Sequence, residues 1–221
     1  MNPPRPFAVL FDLDGTLIDS IGLLLECVHH AFEGRTPAPT DEEWIAGIGT
    51  PLRKQLAAYV SSEEETEALV DRYRVFQREH HDRLTKAFPG VAETLEELNR
   101  RGHPMGVVTS KSNEMMDRGL EWSGLDHFMK TRIGMDSCTV HKPDPMPVRI
   151  ALHELGYSPE EAVFVGDSPH DIASGNAAGV VSVAALWGPF TTEQLEPCHP
   201  ARYLENITGL PALLETLTGS G

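Results

Sequence analysis

Basic residues, cysteines and long apolar runs are all scarce in this sequence. Eighteen Lys and Arg stand against 33 Asp and Glu, a formal net charge of −15 at pH 7. So acidic a surface repels polyanions, which excludes nucleic acid and anionic membrane as general partners. An anionic small molecule would need a local positive site. The three cysteines, Cys27, Cys138 and Cys198, lie far apart and form no Cys-x-x-Cys pair. That pattern argues against a disulfide framework and for reduced, structural thiols in a cytoplasm. No apolar stretch approaches the ~20 residues that cross a bilayer. Met1–Pro6 also lacks the apolar segment of a signal peptide. The pairs His29-His30 and His80-His81 fall in helical patterns, where adjacent residues do not face one another, so no zinc site is expected.

What the 221 residues do contain is an ordinary globular composition, 40% hydrophobic and 23% charged, sufficient for one main domain with a smaller insert. The run Phe7-Ala8-Val9-Leu10-Phe11 reads as a buried parallel strand, and Gly15 breaks it. Residues two apart on an extended chain point to the same side, so Asp12 and Asp14 present adjacent carboxylates where a strand ends. Two negative charges there call for a cation or a shared proton. The competing reading of Asp14-Gly15 is a polar turn.

Beyond this strand the pattern becomes helical. Ile21, Leu24, Leu25, Val28 and Phe32 recur at helical spacing. Thr40-Asp41-Glu42-Glu43 and Ser62-Glu63-Glu64-Glu65 match the capping-box pattern that opens helices. Another short helix is expected around Leu52–Val60. No strand stands out between about Ser20 and Lys86. From Phe88 onward helices alternate with strands, the latter expected at 105–109, 131–135, 162–166, 180–184 and 203–204. Alternation of this kind predicts an α/β fold with a parallel sheet covered on both faces. The helical block is then an insertion after the first strand. The expected division is a core of residues 1–19 and 87–221 and an all-helical domain of residues 20–86.

In open α/β sheets, ligands bind outside the carboxyl ends of the strands. There the sequence places Asp12 and Asp14, then Thr109-Ser110-Lys111, then Gly166-Asp167-Ser168-Pro169-His170-Asp171, with His141-Lys142-Pro143-Asp144-Pro145 between the last two. Carboxylates, a hydroxyl and a lysine on one rim suit Mg²⁺-assisted transfer of a phosphoryl group to a carboxylate. Mg²⁺ takes oxygen ligands, one or two of them carboxylates, and Asp12 and Asp167 are candidates. Lys142 would offset the repulsion between an attacking carboxylate and a phosphate dianion. Asp14 would protonate the leaving oxygen and then activate water.

At these residues the chain resembles the haloacid dehalogenase superfamily, phosphatase branch, and is most similar to its phosphoglycolate-phosphatase-like group with a helical cap. Four motifs match in order: Asp12-x-Asp14-Gly15-Thr16, the strand-ending Thr109, Lys142-Pro143-x-Pro145, and Gly166-Asp167-x-x-x-Asp171. The resemblance implies a Rossmann-like core, with Asp12 as nucleophile, Asp14 as general acid/base, and Thr109 as a phosphate ligand beside Ser110. It implies Lys142 as the cation near nucleophile and phosphate. Mg²⁺ would be bound by Asp12, the Asp14 carbonyl and Asp167, with Asp171 further out. Dehalogenases and phosphonate hydrolases of the superfamily lack the carboxylate that Asp14 supplies, and a mutase would carry a histidine where Leu24 stands.

The expected function is therefore hydrolysis of a small phosphorylated metabolite in the cytoplasm, by a monomer or homodimer. Phosphoglycolate is the first substrate suggested by the resemblance, then inorganic pyrophosphate, then a sugar or nucleoside monophosphate. A non-catalytic phosphometabolite-binding protein is the alternative of a different class, and retention of both Asp12 and Asp14 argues against it. In the segment Gly47-Ile48-Gly49-Thr50-Pro51-Leu52-Arg53-Lys54, Arg53 or Lys54 is expected either to contact a substrate anion or to remain an exposed surface cation.

Overall fold

The computed structural model describes residues 5–218; the outermost ends of the expected core, residues 1–4 and 219–221, lie outside the described residues. The chain opens with strand β1 (Ala8–Phe11). It leaves the core through the two-residue strand β2 (Ile18–Asp19), builds helices α1 (Ile21–Phe32), α2 (Asp41–Ala46), α3 (Leu52–Ala57) and α4 (Glu63–Leu84), and returns through β3 (Lys86–Ala87). Then follow α5 (Val91–Arg100), β4 (Met105–Val108), α6 (Asn113–Trp122), β5 (Met129–Ile133), α7 (Met146–Leu155), β6 (Ala162–Gly166), α8 (Pro169–Ala178) and β7 (Val181–Ala185). Helix α9 (Thr192–Leu195), strand β8 (Arg202–Leu204) and helix α10 (Leu210–Thr218) complete the chain.

Six strands form one sheet in the order β5-β4-β1-β6-β7-β8. Every neighbouring pair is parallel. Side chains alternate faces along a strand. Val9, Phe11, Val163 and Val165 accordingly join the layer that holds α5, α6 and α10, while Ala8, Leu10, Ala162 and Phe164 join the layer that holds α7 and α8. Because β1 is central, it is buried on both faces throughout, which explains its unbroken apolar run.

The inserted helices pack around an apolar cluster that they share with the main body. Leu23, Cys27, Val28, Phe32, Trp44, Leu56, Leu69 and Tyr73 pack together, and this cluster continues into Ile172, Ala184 and Phe190 of the main body. Both expected helix starts are made: the Thr40 side chain accepts from the Glu43 N–H in a full capping box, and the Ser62 side chain accepts from the Glu65 N–H.

Two expectations shift. The strand expected at 131–135 lies at Met129–Ile133, with Met129, Thr131 and Ile133 buried and Lys130 and Arg132 turned outward. It is a sheet edge, so a polar/apolar alternation marks it rather than an apolar run. Helix α8 starts at Pro169 because Ser168 caps it and Pro is well suited to the first helical turn. The antiparallel pair β2–β3 (Ile18 opposite Ala87, Asp19 opposite Lys86) was not expected. Two residues per strand carry no readable period.

Phe164 is 1% exposed at the middle of β6. Phe164→Ala is expected to cost about 3–5 kcal/mol of stability through the cavity it leaves. Urea unfolding of the variant checks this; a change below about 1 kcal/mol would mean that the sheet is not packed there as described.

Candidate active site

Three adjacent strands end on one rim. Asp12 follows β1, Thr109 follows β4 on one side of it, and Asp167 follows β6 on the other. Asp12 remains in register, its N–H donating to the Val165 carbonyl (2.9 Å). Immediately after it the chain turns tightly: Gly15 has φ of +81°, and a Cβ there would lie 2.5 Å from Asp167 Oδ2. Only glycine tolerates both that conformation and that approach.

Lys142 organises the acidic residues. Its ammonium, 4% exposed, donates to Asp12 Oδ1 (2.6 Å), Asp171 Oδ1 (2.5 Å) and the Val108 carbonyl (3.2 Å). All three N–H donors of the lysine are used. Burial pulls its pKa down, but Asp12 and Asp171 outweigh this and the net shift is upward, so the group stays charged. Burial pushes the Asp12 carboxyl up to about 7; Lys142 opposes the rise, while Asp171 and Asp14 add to it. Asp167 is raised well above the usual carboxylate range, by burial first and then by Asp171 and Asp12.

One polar atom of this cluster is unsatisfied. Asp167 Oδ1 accepts from Thr16 Oγ1 (2.6 Å), but Asp167 Oδ2 is buried without a hydrogen-bond partner. Orphaned carboxylate oxygens are costly inside a protein, and they are places where a cation binds. Asp12, Asp167 and Asp171 can each bring one oxygen within 4.8 Å of the others. This all-oxygen set suits a hard divalent ion such as Mg²⁺. Asp171 has its own tasks: Oδ1 holds Lys142, and Oδ2 accepts from Ser168 N–H (3.0 Å) and Ser168 Oγ (2.6 Å) at the start of α8. It stands in the cluster chiefly as the residue that positions Lys142.

Asp14 faces a different set of groups. Its Oδ1 accepts from Lys111 Nζ (2.5 Å) and Ser20 Oγ (2.5 Å). Asp12, Asp14, Thr109, Ser110 and Lys111 form the floor of a cavity of about 100 Å³, roofed by the inserted helices through Trp44, Gly49, Tyr73, Arg74 and Gln77. The roof is pinned to the floor at its loop. Ser110 Oγ donates to the Gly49 carbonyl (2.6 Å), and Thr50 Oγ1 meets His170 Nε2 (3.0 Å). Gly49 adopts φ of +96°, and a Cβ on it would come within 3.0 Å of both His170 and Ser168.

The structure thus brings Asp12, Asp167, Asp171 and Lys142 into one buried cluster, with Asp14 and Thr109 beside it. Ser110 lines the same cavity, but its hydroxyl is tied to the inserted loop. Arg53 is not brought there. It is exposed on α3 and paired with Glu63 and Glu67 at the start of α4, so the expected substrate contact gives way to an ion pair within the insertion. Lys54 is exposed as well. Motif reading places Lys111 on the rim without giving it a task, and it misses Ser20, Arg74 and Gln77. For Lys111 a signal exists, since it lies two residues beyond Thr109 and extended residues at that spacing share a side. Arg74 and Gln77 carry none, because a polar residue on a helix looks the same whether it faces solvent or a cavity.

With this geometry in hand, similarity to known proteins is informative. The sequence model of the haloacid dehalogenase-like hydrolases matches residues 9–185. The pyrophosphatase PpaX of Bacillus velezensis is 35% identical over 211 residues, covering 95% of this chain and 97% of its own. That of Oceanobacillus iheyensis is 36% identical, covering 90% and 92%. Among solved structures, a haloacid dehalogenase-like family hydrolase from Streptococcus pneumoniae superposes with a TM-score of 0.83 at 25% identity, over 94% of this chain and 98% of that one. A predicted phosphoglycolate phosphatase from Haemophilus somnus gives 0.84 at 24% identity over 95% and 98% and speaks for the fold. The match over most of the length and the strand-end cluster agree: this chain belongs to the haloacid dehalogenase-like hydrolases, as one of their phosphatases.

Proposed function

We propose that the protein hydrolyses a small phosphorylated metabolite in a Mg²⁺-dependent reaction, through an aspartyl-phosphate on Asp12. The observation that carries this reading is the buried ammonium of Lys142, which touches Asp12 Oδ1 beside the unpartnered Asp167 Oδ2. An anion-repelling carboxylate is thereby made approachable by a phosphate.

Each residue then has a definable task. An Asp12 oxygen attacks phosphorus, and the bond from phosphorus to the leaving oxygen breaks as the new one forms. Asp14, held by Lys111 and Ser20, delivers a proton to that leaving oxygen and later takes one from the water that attacks the aspartyl-phosphate. The second attack breaks the bond between phosphorus and Asp12 and releases phosphate. Lys142 balances the charge that accumulates on the phosphoryl oxygens, and Thr109 donates to one of them. Asp12, Asp167 and the Asp14 carbonyl would hold Mg²⁺, with Asp171 acting from behind through Lys142 and Ser168. When bound, the ion supplies positive charge to the phosphate oxygens.

For the substrate, the likeness to relatives named pyrophosphatase at 35% and 36% identity moves inorganic pyrophosphate ahead of phosphoglycolate.

Asp12→Asn is expected to lower Mg²⁺-dependent phosphate release at least about a thousandfold while leaving the chain folded, as read by circular dichroism. Activity retained in that variant would remove the mechanism.

The raised carboxyls make a second prediction, for the metal-free protein in EDTA. Asp12 moves from 3.8 to about 7 on folding, and Asp167 moves in the same direction. Over that interval the folded chain binds more protons than the unfolded one, so stability falls as pH rises through it. Melting temperature should therefore drop by several degrees between about pH 5 and pH 8. Added Mg²⁺ should restore it, and more at the higher pH, because a cation favours the ionised carboxylates. A flat profile with no response to Mg²⁺ would count against a metal site at these carboxylates.

A further inference from the structure

The roof of the cavity contains a cation that makes no direct ion pair among the described residues. Arg74 on α4 lines the cavity and is partly buried, yet it makes no hydrogen bond or ion pair among the described residues. Its neighbours on the same helix are engaged. Arg72 donates to the carbonyls of His30 and Glu33. Arg78 takes both oxygens of Glu114, an acid close enough to Arg74 to feel its charge. The other cation lining the cavity, Lys111, is committed to Asp14.

Gln77 stands three residues further along α4, on the same helical face. It is 7% exposed, lines the cavity, and makes no side-chain hydrogen bond among the described residues. An amide and a guanidinium that line a cavity and have no protein hydrogen-bond partner are left to donate to whatever enters it. Both groups line a space that Leu24, Trp44 and Tyr73 also border. The two donors line the same cavity as Asp12 and Asp14, so the departing part of a substrate whose phosphoryl group sat at Asp12 would share that space with them.

We infer that Arg74, with Gln77, is the specificity determinant of this enzyme and selects phosphoryl compounds whose leaving part is itself small and anionic, a second phosphate or a carboxylate. The inference rests on the phosphatase reading for its orientation of substrate, with the transferring group at Asp12. It also accounts for how a chain of net charge −15 receives a substrate with two anionic ends: Lys142 serves one, and Arg74 serves the other. A charge-assisted hydrogen bond from guanidinium to anion, once lost, corresponds to about a tenfold to hundredfold change in affinity.

The test compares Arg74→Gln and Arg74→Lys with the unmodified chain on pyrophosphate, phosphoglycolate and p-nitrophenyl phosphate, whose leaving part carries no anionic substituent. Arg74→Gln is expected to lower kcat/KM about tenfold to a hundredfold on the two doubly anionic substrates, mainly through KM, and less than about threefold on p-nitrophenyl phosphate. Arg74→Lys should recover part of the loss. The ratio of the two natural-type substrates identifies whether a phosphate or a carboxylate is preferred. Calorimetric titration of pyrophosphate and of orthophosphate into Mg²⁺-loaded Asp12→Asn, with and without Arg74→Gln, reads the same contact without turnover. Weakened pyrophosphate binding with orthophosphate unaffected supports the assignment. Equal loss on all substrates, or no loss on any, overturns it. A chain that releases no phosphate from any substrate, yet still binds pyrophosphate through Arg74, would instead overturn the catalytic reading and leave this one standing.

Discussion

The contact on which the rest of the site depends is the buried ammonium of Lys142 between Asp12 and Asp171. Three carboxylates packed together, two at the ends of adjacent strands and one in the first turn of α8, would repel one another strongly in a low-dielectric setting. One lysine with all its donors used makes that packing tolerable without fully neutralising it. The residual imbalance appears as raised carboxyl pKa values at Asp12 and Asp167 and as an unpartnered oxygen on Asp167. The cluster is therefore less favourable on its own than it would be beside a further positive charge. This is stored electrostatic complementarity toward a cation and a phosphate, carried at a cost to the fold.

The inserted helices make the second contribution, which is enclosure. Their apolar cluster runs without a break into Ile172, Ala184 and Phe190 of the main body. Two polar contacts, Ser110 to the Gly49 carbonyl and Thr50 to His170, hold the loop over the floor. Such a roof limits the size of what can enter and lowers the dielectric around the reacting groups. The chain passes between the two parts at the short β2–β3 pair.

Legibility of the fold followed the strength of local periodicity. Central strands such as β1 and β6, buried on both faces, stand out as apolar runs, and the starts of α2 and α4 are written in their capping residues. Edge strand β5 was displaced by two residues because Lys130 and Arg132 interrupt its apolar face. The β2–β3 pair was invisible, since its stability comes from a partner almost seventy positions away and not from a pattern within either strand.

Sequence by itself determined the chemistry available at each strand end: the spacing of Asp12 and Asp14, the hydroxyl at Thr109, the lysine before Pro143, and the carboxylates at Asp167 and Asp171. These groups lie next to turns that local residues encode, so their placement on one rim follows from the order of strands and helices. Only the tertiary structure decided which partners those groups take. It gave Asp171 to Lys142 and Ser168, Lys111 to Asp14, and Arg53 to Glu63 and Glu67, leaving Arg74 to face the cavity. The reason is physical. An ion pair is settled by distances of a few ångströms between elements far apart in the chain, and no local pattern records which of several arginines on neighbouring helices will find an acid and which will not.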